Sequence, residues 1–116
     1  MNINYISESK CGLVRETNQD YADTLETTDG FLAVVCDGVG GNNGGETASR
    51  IAVESIIEAF IDSAGMHPLD RLGAGIKHAN SKITEASAND ETLRGMATTV
   101  VVLYLDKQGA FWAHAG

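Results

Sequence analysis

VVCDGVGGNNGGETAS, residues 34–49, runs from an apolar stretch through five glycines into a helical pattern. Glycine surrenders more backbone freedom on folding than any other residue. A connection this rich in it must be explained by what it holds or by how closely it packs. A phosphate-binding loop is the first candidate. Gly40–Thr47, GGNNGGET, meets G-x-x-x-x-G-K-[ST] at every fixed position but one, and it lies between a strand-like and a helix-like segment, the context that motif needs. Glu46 occupies the lysine position, however, and puts a carboxylate where terminal phosphates require a cation. Asp37 adds a second negative charge at the strand end. A dinucleotide fingerprint fails as well, because Asn43 stands where the third glycine belongs. An anionic loop that meets phosphate needs metal ions between the two.

Outward from the loop, FLAVVCD (31–37) reads as a strand buried on both faces. A Thr-Asp-Gly turn at 28–30 joins it to YADTLET (21–27) as a β-hairpin. On the other side, Ala48, Ile51, Ala52, Ile56, Ala59 and Phe60 recur at helical spacing and predict a helix over 46–64, with Gly65 as its stop. Pro68 opens a second helix carrying Leu69, Leu72, Ile76, Ala79, Ile83 and Ala86. Gly73 and Gly75 weaken that helix by roughly 1 kcal/mol each relative to alanine, and both read as sites where the two helices approach closely. After the polar stretch ASANDETLRG (86–95) come a strong strand, TTVVVLYLD (98–106), a turn at 107–109 and a returning strand, AFWAHAG (110–116). NINYISES (2–9) alternates loosely and suits a further strand. The order of three strands, two helices and two strands indicates an antiparallel α+β fold. The chain stops directly after an apolar strand, without a turn or cap, which reads as a domain cut short. Strands 98–106 and 110–116 are then expected to lack neighbours and to promote self-association through exposed edges.

The bulk numbers narrow the function. A chain of 116 residues, 43% hydrophobic and 21% charged, suits one domain with one core. Eight Lys+Arg against sixteen Asp+Glu give a net charge of -8. Nucleic acid and anionic membrane require an electrostatic footprint of the opposite sign, so neither is expected as a partner. The longest apolar runs, FLAVVC (31–36) and VVVLYL (100–105), are strand-length and too short to span a bilayer. The first twenty residues hold no apolar stretch that could serve as a signal peptide. Cys11 and Cys36 show neither metal nor redox spacing; a disulfide between them is possible, and reduced thiols in a cytoplasmic protein are the preferred expectation.

Three pieces can converge on one site. Asp37 closes a buried strand, a rigid position from which a carboxylate can point at a ligand. Gly38 follows it, leaving the backbone carbonyl there unshielded by a side chain. Asp20 closes RETNQD at the mouth of the other hairpin strand. Ligands that are all oxygen suit hard cations such as Mg²⁺ or Mn²⁺. Arg15 lies five residues before Asp20, and its planar guanidinium can grip a phosphate with two parallel bonds. Plainer readings stand beside these: an Asp-Gly after a strand is often a turn, and an isolated arginine is often a solvated surface residue. His67, His78 and His114 are too scattered to form a ligand set.

At these residues the chain resembles the metal-dependent PPM, or type 2C, protein serine/threonine phosphatases in their bacterial form. GLVRETNQD (12–20), CDGVGGNNGGETAS (36–49), GMATTV (95–100) and AHAG (113–116) match in order and spacing, and HANSKI (78–83) is also similar. The resemblance implies a four-layer α-β-β-α sandwich of two antiparallel sheets flanked by helices. Residues 1–116 would form the N-terminal portion of one such domain, truncated after the fifth predicted strand. It implies a centre of two Mn²⁺ or Mg²⁺ ions, bridged by Asp37, with Gly38 lending its carbonyl and Asp20 contacting the metals largely through water. Arg15 matches the arginine that binds the substrate phosphate, so Arg15, Asp20 and Asp37 are the expected catalytic residues. The implied reaction is hydrolysis of phosphoserine or phosphothreonine in proteins by a metal-bridging water.

Departures from the family pattern bear on chemistry. Gln19 stands at a position that is often glutamate, Val39 where eukaryotic members often carry histidine, and Ala97 where a glycine is usual. The Asp-Ser-Arg that follows AHAG in the family, and the downstream aspartates that complete both metal sites, are not in these 116 residues. Weak or absent activity of the chain alone is therefore expected. A non-catalytic phosphoprotein-binding or regulatory module of the same fold is the alternative, and the intact Arg15, Asp20 and Asp37 argue against it.

Overall fold

The computed structural model describes residues 19–41 and 44–116. The expected strand at 2–9, Cys11 and Arg15 lie outside the described residues. Among the described residues, four strands and two helices follow in order: β1 (Asp20–Glu26), β2 (Gly30–Val39), α1 (Gly44–Asp62), α2 (Pro68–Asn89), β3 (Ala97–Asp106) and β4 (Gly109–Ala115), with a short 3-10 turn at Glu91–Leu93. The strands form one antiparallel sheet in the order β1-β2-β3-β4. Strand 98–106 was expected to lack neighbours, but β3 is interior, paired with β2 on one side and β4 on the other. Its long β-branched run fills a central strand, and among the described residues the edge position falls to β4.

Both helices pack on one face of the sheet. Alternate residues of β2 (Leu32, Val34, Cys36) and β3 (Val100, Val102, Tyr104) meet Ala52, Val53, Ile56 and Phe60 of α1 and Leu72 and Ala79 of α2 in a single core. The Phe60 and Tyr104 rings tilt against each other with centroids 4.8 Å apart. Burying a side chain such as Leu32 or Phe60 contributes roughly 1.5–3 kcal/mol. The opposite face is open among the described residues: Val35 is 53% exposed, Val39 62%, Val101 53% and Trp112 65%. The expectation that β2 is buried on both faces is therefore corrected. Its unbroken apolar run does supply two apolar faces, but α1 and α2 cover only one of them.

Local chemistry fixes the helix ends. The Ser63 hydroxyl donates to the Phe60 carbonyl at 3.2 Å, and Gly65 turns the chain at φ 94°. Arg71 then reaches back from α2, stacking over the Phe60 ring at 3.5 Å and donating to the Phe60 carbonyl at 2.6 Å. One guanidinium thus caps the last turn of α1 and covers its terminal aromatic, binding the ends of two helices together. His67 Nδ1 accepts from the Leu69 N–H at 3.1 Å just ahead of Pro68, so this histidine is a helix cap. Asp90 caps the 3-10 turn, and its hydrogen bonds from the Thr92 hydroxyl and backbone hold its carboxyl below the usual range.

The two helix glycines have different roles. A Cβ at Gly75 would lie 3.2 Å from Ile56 Cγ2, so its absence lets α2 approach α1; at Gly73 it would meet nothing within 4 Å. The close-approach reading holds for Gly75 and fails for Gly73. Gly73→Ala should accordingly stabilise the fold by ~0.5–1 kcal/mol. Gly75→Val should destabilise it by ~1–3 kcal/mol, and urea unfolding of the two variants beside wild type separates them.

Cys36 is a free thiol, fully buried on the helical face. Burial pushes it from the usual 9.0 up to about 12, with a Thr98 hydrogen bond opposing the shift. The folded state therefore holds the proton more tightly than the unfolded one. The associated stability is fully present below pH 9 and is lost as pH rises toward 12. In a Cys11→Ser background, iodoacetamide at pH 8 should leave the native protein unmodified and alkylate Cys36 only after denaturation. Rapid native labelling would contradict this placement.

Candidate metal centre

Asp20 opens β1 and Asp37 lies near the end of β2, and the antiparallel register makes them direct partners. The Gly38 N–H donates to the Gln19 carbonyl at 2.9 Å. Hydrogen-bonded and non-hydrogen-bonded pairs alternate along an antiparallel ladder, and the latter have Cα atoms only about 4.5 Å apart. With Gln19 and Gly38 as a hydrogen-bonded pair, Asp20 and Asp37 form the close kind. Both side chains project from the open face, Asp37 exposed and Asp20 half-buried. The reading of Asp37-Gly38 as a turn is excluded, because β2 continues through Val39.

Like charges directly opposed across a sheet are destabilising, and a divalent cation between them reverses the sign of that interaction. The donor types here, two carboxylates with a glycine carbonyl beside them, fit a hard cation. Among the described residues, no group of three or more His, Cys, Asp or Glu converges. His67 caps α2, His78 lies 3.8 Å from Glu58 between the helices, and His114 sits on β4. A cleft of about 660 Å³ lies at the far end of the sheet, between Glu26–Phe31 and Leu105–Lys107, away from the carboxylate pair.

The glycines of the loop are explained by contact rather than by a bound phosphate. A Cβ on Gly38 would collide with the Gly45 carbonyl and come within 2.7 Å of the Gln19 carbonyl. A Cβ on Gly45 would collide with the Gln19 side-chain oxygen and lie 2.9 Å from the Gly38 carbonyl carbon. The first turn of α1 therefore rests directly on the end of β2, and its partial positive charge sits beside the acidic strand ends. Glu46, which disqualified the nucleotide loop, falls in that first turn, where a carboxylate is electrostatically favoured.

Thr99 is a site residue that its sequence position did not single out. It pairs with Asp37 across β2 and β3. Its hydroxyl accepts from the Asp37 N–H at 3.3 Å and donates toward the Asp37 carbonyl at 3.5 Å. The second threonine of GMATTV was visible, but only the pairing register reveals which residue it touches. Of the sequence-predicted residues, Asp20, Asp37 and Gly38 come together at one end of the sheet, and Arg15 lies outside the described residues.

Known proteins resemble the chain in sequence and in fold. Residues 14–116 match the family model described as Protein phosphatase 2C. The chain is 31% identical over 103 residues to the serine/threonine protein phosphatase PstP of Mycobacterium tuberculosis, covering 87% of this chain and 19% of that protein. It is 32% identical over 110 residues to the protein phosphatase PhpP of Streptococcus pneumoniae, covering 90% and 44%. The solved catalytic domain of PstP in complex with two manganese ions superposes with a TM-score of 0.78 at 28% identity, over 94% of this chain and 46% of that one. The chain thus spans less than half the length of these relatives. It shares the fold of the PstP domain over nearly its whole length, and it belongs to the protein phosphatase 2C family.

Proposed function

We propose that the chain supplies one part of the active site of a protein serine/threonine phosphatase, acting on phosphoserine and phosphothreonine in proteins. The observation that carries this reading is the direct opposition of Asp20 and Asp37 on the open face of the sheet. In it, Asp37 and Asp20 hold Mn²⁺ or Mg²⁺, Gly38 contributes its carbonyl, and Arg15 takes the substrate phosphate. Two such ions, when bound, lower the pKa of a shared water and stabilise in-line displacement at phosphorus. Thr99 steadies the Asp37 peptide through its hydroxyl. The names of PstP and PhpP, and the manganese in the PstP structure, support the reaction class and the metal. A cytoplasmic location belongs to the same reading; no helix among the described residues is long and apolar enough to cross a membrane.

Asp20, Asp37 and Gly38 offer far fewer donors than two ions of about six ligands each require, so the chain alone should turn over weakly or not at all. The test is Mn²⁺ binding and hydrolysis of a phosphothreonine peptide, with Asp37→Asn and a chelator as controls. Expected are measurable Mn²⁺ binding that Asp37→Asn weakens at least about tenfold, and turnover near background. Robust turnover lost in both controls would support the activity and overturn the incompleteness. Absence of Mn²⁺ binding would overturn the metal assignment, and phosphopeptide binding without turnover would favour the non-catalytic module.

The open face bears on the state of the chain in solution. Val35 and Val101 are cross-strand partners, as are Leu103 and Trp112, and together they make a continuous apolar surface. Exposed patches of this kind drive association, and sheets pack face to face about 10 Å apart. A second copy of the chain is the proposed cover. Light scattering should show a concentration-dependent rise above the monomer mass that Trp112→Glu reduces; a monomer at every concentration would refute self-association.

A further inference from the structure

We infer that Gln19 is a positioning residue for the Asp20–Asp37 pair, acting through its side chain on the first turn of α1; its metal arm rests on the proposed function. Gln19 touches both elements that meet at the site. Its main-chain carbonyl accepts the Gly38 N–H at 2.9 Å, closing the β1–β2 ladder at the end of β2. Its carboxamide lies against Gly45 so closely that an added Cβ there would collide with Oε1 and lie 2.8 Å from Cδ. The notch left by the missing Gly45 side chain is thus filled by Gln19, and beside it Gly38 lies directly against the Gly45 carbonyl. Strand, strand and helix meet at one residue, through its carbonyl on one side and its carboxamide on the other, and the next residue along is Asp20.

Two consequences follow from that geometry. Losing the carboxamide frees the start of β1 from α1, which loosens the spacing of Asp20 from Asp37 while the core, built on Leu32, Val34, Ile56 and Phe60, is untouched. The role is also one of shape: glutamine and glutamate fill the same notch, whereas alanine empties it. Gly45→Ala attacks the contact from the other side, since its methyl must displace the Gln19 carboxamide.

The experiment uses the intact chain and two readouts. Amide hydrogen exchange at Gly38, relative to amides in α2, reports the β1–β2 lock; Mn²⁺ titration followed by electron paramagnetic resonance reports the carboxylate pair. Gln19→Ala should speed Gly38 exchange about tenfold and weaken Mn²⁺ binding about tenfold. Gln19→Glu should restore wild-type exchange. Gly45→Ala should reproduce the Gln19→Ala effects, and the double variant should be no worse than Gly45→Ala alone, the non-additivity expected of residues in contact. Unchanged Gly38 exchange in Gln19→Ala, or additive effects in the double variant, would overturn the inference. If wild type binds no Mn²⁺, the metal assignment fails, and exchange at Gly38 still decides the role of Gln19.

Discussion

The register of β1 against β2 is the constraint on which the site depends. It is set at the far end of the hairpin, where the Thr27 N–H donates to the Gly30 carbonyl at 2.9 Å and the Thr27 hydroxyl accepts from the Gly30 N–H at 2.9 Å. From there the pairing runs without a bulge to Asp20 and Asp37, about 23 Å along the strand. Side chains alternate between faces, so a slip of one residue would turn Asp37 into the helical core and expose Cys36. Core packing and the position of the carboxylates are therefore the same fact. The burial of Leu32, Val34 and Cys36 is what keeps Asp37 facing outward.

The second constraint is how near α1 comes to the sheet. Ordinary side chains would hold a helix well away from a strand it crosses. At Gly38 and Gly45 there are none, and backbone meets backbone. This close seating carries the positive end of the helix to the acidic end of the sheet. It also makes the loop between them short and glycine-rich for steric reasons, which is why it resembles a nucleotide loop in composition without sharing its chemistry. At the other end of α1, Arg71 and Phe60 fix the helix to its successor, so the helix is anchored at both termini and not only along its apolar stripe.

Much of this was legible in the sequence. Helical spacing located α1 and α2 to within a few residues, Pro68 and Gly65 marked the break between them, and the Thr-Asp-Gly turn announced the hairpin. Asp20, Asp37 and Gly38 were chosen from residue type and strand-end placement, and the pairing register brought them together. What was missed lies in relations between distant residues. Thr99 is one of two adjacent threonines, and nothing local says which one meets Asp37. Gly73 and Gly75 look equivalent in sequence, and only helix phase separates the one under Ile56 from the one over open space. The apolar run of β2 was read as burial on both faces because composition reports that a face is apolar, not what covers it. His67, dismissed as a ligand, caps a helix through a ring nitrogen, a role more often filled by Ser, Thr or Asp.

The alternation of β2 also divides the protein's tolerance of change. At Cys36, Val34 and Leu32 a substitution is judged by volume and polarity inside a packed core. At Asp37 and Val35, one residue away in each case, it is judged by charge and by whatever meets the open face. Neighbouring codons along ten residues of strand therefore answer to different selective pressures, one physical and one chemical. A library scanned through this strand should separate, position by position, into variants that fail to accumulate and variants that accumulate but do not work.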